Sequence, residues 1–148
     1  MDIWDKTASK WSLISVQGGT LTITGNGTMF AKEDDCYALD VRDGANLVIE
    51  NGEFIGNMHA VYVYEGSLTV NGGKFIVQQI YSATKPYEFT LNMYDANRAN
   101  GTATITVNGG SYYKFNPSNC AAEGEGTNFV AQGYSVAADG DYYVVING

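Results

Sequence analysis

Glu33, Asp34 and Asp35 form an unbroken acidic run, and Asp40 and Arg42 follow on the next extended stretch. Two carboxylates converging on a groove, or a carboxylate beside a base, are what acid/base cleavage of a polysaccharide needs. These five residues are therefore the natural place to look for catalysis. The lone histidine, His59, sits near a turn and reads as a surface residue rather than a general base. A short acidic run reads as a solvated loop, and calcium there would require an EF-hand or nonapeptide spacing that the chain lacks. No Ser/His/Asp or Cys/His set is present. Gly124-Glu125-Gly126 has neither the Lys nor the strand-to-helix setting of a phosphate loop. No catalytic residue, metal site or cofactor is therefore expected.

What the chain offers instead is tyrosine, eleven in all, in extended segments rich in Thr, Val and Ile between Gly and Asn pairs. Eighteen Gly and only two Pro complete an all-β signature. Four segments superimpose on the glycine that closes a turn: "LTITGNGTMF" from Leu21, "LVIENGEFI" from Leu47, "LTVNGGKFI" from Leu68 and "ITVNGGSYY" from Ile105. Each has two apolar residues one apart, an Asn/Gly turn, and then Met29, Phe54, Phe75 or Tyr112. Upstream of each lies a further strand: "LISV" (13–16), "YALDV" (37–41), "AVYV" (60–63) and "EFTLNM" (88–93). Side chains alternate faces along a strand, so the shared parity of Ile14 and Val16, Leu39 and Val41, Val61 and Val63, and Leu91 and Met93 marks one buried face.

A hairpin sandwich has no reason to repeat strand identity in this way, whereas a coil that returns above itself stacks like on like. The expected ladders are Ile14–Leu39–Val61–Leu91, Leu21–Leu47–Leu68–Ile105 and Met29–Phe54–Phe75–Tyr112. From Val16 to Val41 to Val63 to Met93 the steps are 25, 22 and 30 residues, so insertions enter mainly at one corner. The long ones are residues 31–38 and 77–88; residues 94–102 form a loop at another corner. Such loops often carry a solenoid's binding face.

This coil pattern, over residues 12–115, resembles the right-handed parallel β-helix families of pectin-lyase-like type, which include polysaccharide lyases, bacterial surface proteins and phage tailspikes. The resemblance implies a short helix of about four coils with three strands each. Residues 116–145 look like a tail found after such repeats in surface or virion proteins of gut bacteria and their phages. The expected organisation is one domain over 1–148: an N-terminal cap at 1–11 with Ile3, Trp4 and Trp11, coils at 12–115, and a C-terminal cap at 116–148. The C-terminal cap reads as a hairpin turning at Ala138-Asp139-Gly140 with Tyr134, Val136, Tyr143 and Val145 alternating, preceded by a loop over 121–126.

If Val61 and Val63 point inward, Tyr62 and Tyr64 point outward, with Asp40 and Arg42 below them and Asn92 and Tyr94 above. Aromatic planes edged by polar groups match the C–H faces and hydroxyls of sugars, although exposed tyrosines also stabilise strands by stacking alone. On the third strand of each coil Thr28, Glu53, Lys74 and Ser111 face out, with Glu53 and Lys74 as an ion pair. One pleat further Phe30, Ile55, Ile76 and Tyr113 face out and require a cover, for which the resemblance to tailspikes implies a homotrimer.

A net charge of −8 with eight scattered basic residues argues against nucleic acid. No apolar stretch is long enough to span a membrane, and the start has neither the basic nor the apolar region of a signal peptide. Cys36 and Cys120 lack metal or redox spacing and read as buried thiols rather than a disulfide. Asn26-Gly27-Thr28 and Asn100-Gly101-Thr102 match the glycosylation pattern but read as turns. The expectation is a non-enzymatic adhesive or structural module of a virion or cell surface, binding a glycan or a protein receptor. The alternative is a small polysaccharide lyase or glycosidase using Asp34, Asp35, Asp40 or Arg42; about four coils span only about 15 Å of axis, short for a polysaccharide groove.

Overall fold

The computed structural model describes residues 12–32 and 34–148; the expected N-terminal cap and Glu33 lie outside the described residues. Among the described residues fourteen strands and one short α-helix follow in order, with a single 3-10 turn at Ala121–Glu123 before the last two strands. They are β1 (Ser12–Gln17), β2 (Thr20–Ile23), β3 (Thr28–Phe30), β4 (Tyr37–Arg42), β5 (Ala45–Ile49), β6 (Glu53–Gly56), β7 (His59–Val63), β8 (Gly66–Val70), β9 (Lys74–Val77), β10 (Leu91–Met93), α1 (Asp95–Asn100), β11 (Ala103–Val107), β12 (Ser111–Tyr113), β13 (Tyr134–Asp139) and β14 (Tyr142–Asn147).

Every third strand joins the same sheet. β1-β4-β7-β10 and β2-β5-β8-β11 are wholly parallel, and β3-β6-β9-β12 is parallel until β14 and then β13 extend it antiparallel. The protein is thus all-β with largely parallel sheets, compatible with a β-helix-like coil. The register matches the repeat: Ile14 pairs with Leu39, Leu39 with Val61 and Val61 with Leu91. Leu21, Leu47, Leu68 and Ile105 form the second ladder. Leu39, Leu47, Val61, Leu68 and Leu91 are fully buried, each stabilising the fold by about 1.5–3 kcal/mol relative to an exposed side chain.

The third ladder is a stack of rings. Phe54 lies 5.3 Å from Phe75 and Phe75 lies 5.1 Å from Tyr112, with interplanar angles of 18° and 10°. Tyr112 has no contact with water, and its hydroxyl donates to the Gly109 carbonyl at 2.9 Å, satisfying the one polar atom the stack carries. The corner before each ring is a glycine because the backbone there turns through positive φ: 120° at Gly52, 108° at Gly73 and 96° at Gly110. Each turn also lies on the one below, the N–H groups of Lys74 and Ser111 donating to the carbonyls of Gly52 and Gly73 at 2.9 and 2.8 Å. On the same corner Asn51 donates to Asn26 at 2.7 Å and Asn108 to Asn71 at 3.0 Å.

Beyond the last turn, Phe115, Cys120, Phe129 and Val145 are buried in the same core. Cys36 and Cys120 are both buried as thiols. Two local expectations need correction. The hairpin turns at Gly140-Asp141, since Asp139 still pairs with Tyr142; a two-residue loop with Gly140 at φ 61° fits the twist of the strands. Residues 95–100, expected as loop, form α1, with Asp95 in its first turn and Gly101 in the left-handed region ending it.

Candidate functional site: a tyrosine-lined cleft

Chain folds over the outer face of the β1-β4-β7-β10 sheet. Residues 78–90 leave β9 and cross this face before entering β10. The insertion is held at its base by Asp35: the Asp35 N–H donates to Gln79 Oε1 at 3.0 Å, and Gln79 Nε2 donates to Asp35 Oδ1 at 3.1 Å. It is held at its end by His59, whose Nδ1 donates to the Phe89 carbonyl at 2.8 Å. Between insertion and sheet lies a cleft of about 430 Å³, walled by Tyr62, Asn92 and Tyr94 on the sheet side and Tyr81, Lys85 and Tyr87 on the insertion side. Asp95, Arg98 and Glu123 form its floor.

The floor is a locked polar assembly. β10 is the last strand of its sheet, so the N–H of Met93 has no further strand to bond to. The Glu123 carboxylate takes it at 2.7 Å, and its other oxygen lies 2.9 Å from Arg98 Nε. The Glu123 side chain is fully buried, and that burial raises its carboxyl above the ordinary range despite the Met93 N–H and the Arg98 guanidinium.

Of the six residues expected on this face, Tyr62, Asn92 and Tyr94 line the cleft. Tyr64 stacks on Tyr94 at 4.8 Å, and the Arg42 guanidinium lies 4.9 Å from the Tyr64 ring centre. Arg42 is itself bound at 2.8 Å to Asp40. Asp40, expected to be exposed, is fully buried; it pairs directly beside Tyr62 on β7, and the larger ring together with the folded-back Arg42 removes it from water. Among the described residues its Oδ1 has no hydrogen-bond partner. Arg42 and Tyr64 thus pack against Tyr94 and do not line the cleft themselves.

His59, expected at the surface, is also buried. Its ring sits between Tyr37 at 4.7 Å and Tyr62 at 5.2 Å. Burial lowers its pKa to about 4, outweighing the Phe89 carbonyl bond, so it is neutral at physiological pH. Burial, followed by the nearby Asp40, pushes Tyr37 up to about 12, and burial raises Tyr62 in the same way. Asp34 is exposed on its loop while Asp35 is held by Gln79. Among the described residues no three His, Cys, Asp or Glu side chains converge as metal ligands would.

The sequence points to binding on the corner insertions but does not single out Tyr81, Lys85 or Tyr87. The available signal was local: two tyrosines and Phe89 interleaved with Lys85 and Pro86 in an insertion that has no core to fill. Arg98 and Glu123, 25 residues apart in sequence, carried no signal of their own.

On the outer face of the third sheet, Phe30, Ile55 and Ile76 are neighbours in register. Tyr113 on β12 pairs with Tyr142 of the hairpin, their rings 5.4 Å apart. Phe30 is 41% exposed and the other three are half-buried, so the hairpin lengthens this apolar column, whose outer side is not fully covered by the described residues. The neighbouring column carries the expected Glu53–Lys74 pair at 3.7 Å.

No protein-family model matches this chain, and neither the curated proteins nor the solved structures contain a significant match to it.

Proposed function

We propose that the chain is a short right-handed parallel β-helix of pectin-lyase-like type, about four coils of three strands closed by a C-terminal hairpin, acting as a non-enzymatic glycan-binding module. Right-handedness follows from the strong rule for parallel crossovers. Its setting would be a phage fibre or spike, or a bacterial surface, where an adhesive tip meets host or environmental glycans. The observation that carries this reading is the cleft of about 430 Å³ between a rigid sheet face and a clasped insertion, lined by four tyrosines. Tyrosine planes bury the C–H faces of sugar rings at little cost in side-chain entropy, and their hydroxyls bond at the rim.

The acid/base candidates weigh against the lyase or glycosidase alternative. Asp40 is buried and paired with Arg42, His59 is buried, neutral and hydrogen-bonded to Phe89, and Asp35 is held by Gln79. None of them faces the tyrosine cleft. The incompletely covered column of Phe30, Ile55, Ile76 and Tyr113 favours side-by-side association into a trimer; a single-chain mass by light scattering would remove that part.

The test is a broad glycan array probed with the wild-type chain and with Tyr94→Ala and Tyr81→Ala. Saturable binding weakened about tenfold or more by either substitution is the expected result. Silence across the array would leave a purely structural role, and chain cleavage of a bound polysaccharide would restore the enzyme.

A further inference from the structure

We infer that the cleft accepts an uncharged saccharide and discriminates against uronic-acid polymers, an inference that rests on the proposed glycan binding. Recognition of a carboxylated sugar needs a cation free to pair with it, and a guanidinium is the group whose geometry suits a carboxylate best. The arginine at this cleft is already engaged: Arg98 Nε lies 2.9 Å from the buried Glu123 carboxylate, and Nη2 lies 3.9 Å from Asp95. Arg42, the other arginine of this face, is bound to Asp40 and stacked on Tyr64. Lys85 lies over the Tyr81 ring at 5.9 Å, and Asp95 lines the same cleft.

The two cations and two carboxylates of the cleft therefore cancel, and they sit on a chain whose net charge is −8. A polyanion approaching this surface is repelled at long range and finds no uncommitted arginine at short range. What the cleft leaves available is neutral chemistry. Tyr81, Tyr87 and Tyr94 are 55%, 41% and 41% exposed. The Asn92 amide, which no hydrogen bond engages among the described residues, carries a donor and an acceptor side by side, as a pair of neighbouring sugar hydroxyls requires.

The experiment is titration calorimetry with neutral gluco-, galacto- and manno-oligosaccharides and, at matched length, oligogalacturonate and oligomannuronate. At least one neutral oligosaccharide should bind, with its affinity changing less than about twofold between about 20 mM and about 500 mM salt. Tyr94→Ala and Tyr87→Ala should each weaken that binding about tenfold or more. The inference is overturned, with the glycan cleft intact, if uronate oligomers bind more tightly than every neutral one and lose affinity with salt and in Lys85→Ala. A neutral sugar whose affinity ignores both tyrosine substitutions would lie elsewhere and overturn it too. No binding by either class removes the glycan reading itself, and the inference with it.

Discussion

Two ring stacks in this protein share one geometry and differ in everything else. Phe54, Phe75 and Tyr112 stack at 5.3 and 5.1 Å in the buried core, and Tyr64 and Tyr94 stack at 4.8 Å on an outer sheet face. The spacing is common to both because parallel strands about 4.8 Å apart place like positions over one another on either face. Inside, each ring is fully or almost fully buried, and its neighbours above and below are the substitutes for water. Outside, Tyr64 and Tyr94 are 36% and 41% exposed, and the far side of Tyr94 opens on the cleft. Stacking therefore stabilises the fold in the first place and presents a surface in the second.

The comparison breaks most visibly at Phe75. Phe75→Ala removes the middle ring and leaves a cavity between Phe54 and Tyr112, and should cost about 3–5 kcal/mol in denaturant unfolding. A loss under about 1 kcal/mol would mean the interior stack is not the core it is taken to be.

The next largest effect is at His59, whose ring touches neither stack and packs on Tyr37 and Tyr62. Its folded pKa of about 4 is below the ordinary 6.5, so the unfolded chain takes a proton that the folded chain refuses. Stability from this group is full above about pH 6.5, falls as pH drops from there to about 4 and is level below, a total of about 3 kcal/mol. Unfolding free energies of wild type and His59→Gln measured across that window should converge by this amount as the pH falls, and a constant gap would refute it. The difference between the two proteins cancels Glu123, whose raised pKa acts with the opposite sign.

Third comes Arg42→Met, which leaves the Asp40 carboxylate buried without its partner. Full burial of such a pair would cost about 3–5 kcal/mol; with Arg42 24% exposed, about 2 kcal/mol is expected. The same variant should also loosen the Tyr64–Tyr94 stack and weaken the proposed glycan binding about threefold or more. The smallest stability change belongs to Tyr64→Ala, at most about 1 kcal/mol. Unfolding and binding measured together sharpen the contrast, for this outer ring should move binding more than stability.

Much of the parallel stacking is legible in the sequence. The parity of Val61 and Val63 and the recurrence of the turn glycine are consequences of stacking, since a position repeated from strand to strand of one parallel sheet meets the same neighbours and is held to the same residue type. The outward face obeys no such rule: the column running from Ser15 through Asp40 and Tyr62 to Asn92 repeats nothing. Parity alone places Asp40, Tyr62 and Asn92 outside, and it serves for Tyr62 and Asn92. It failed for Asp40 because exposure on a strand depends on the size of the neighbours and on what crosses above, and neither is a property of the strand itself. His59 was misplaced for the same reason: the segment that buries it is Phe89, thirty residues later in the chain.

From its sequence alone this protein's period, its inward ladders, its turn glycines and its all-β character were determined, because each follows from a local alternation repeated at a fixed interval. Only the tertiary structure decided which outward residues stay wet, that Glu123 reaches the edge of β10 to hold Arg98, and that residues 78–90 close over one face to leave a cleft. Those outcomes join residues with no common period, brought together by the path of an insertion whose direction no strand pattern encodes.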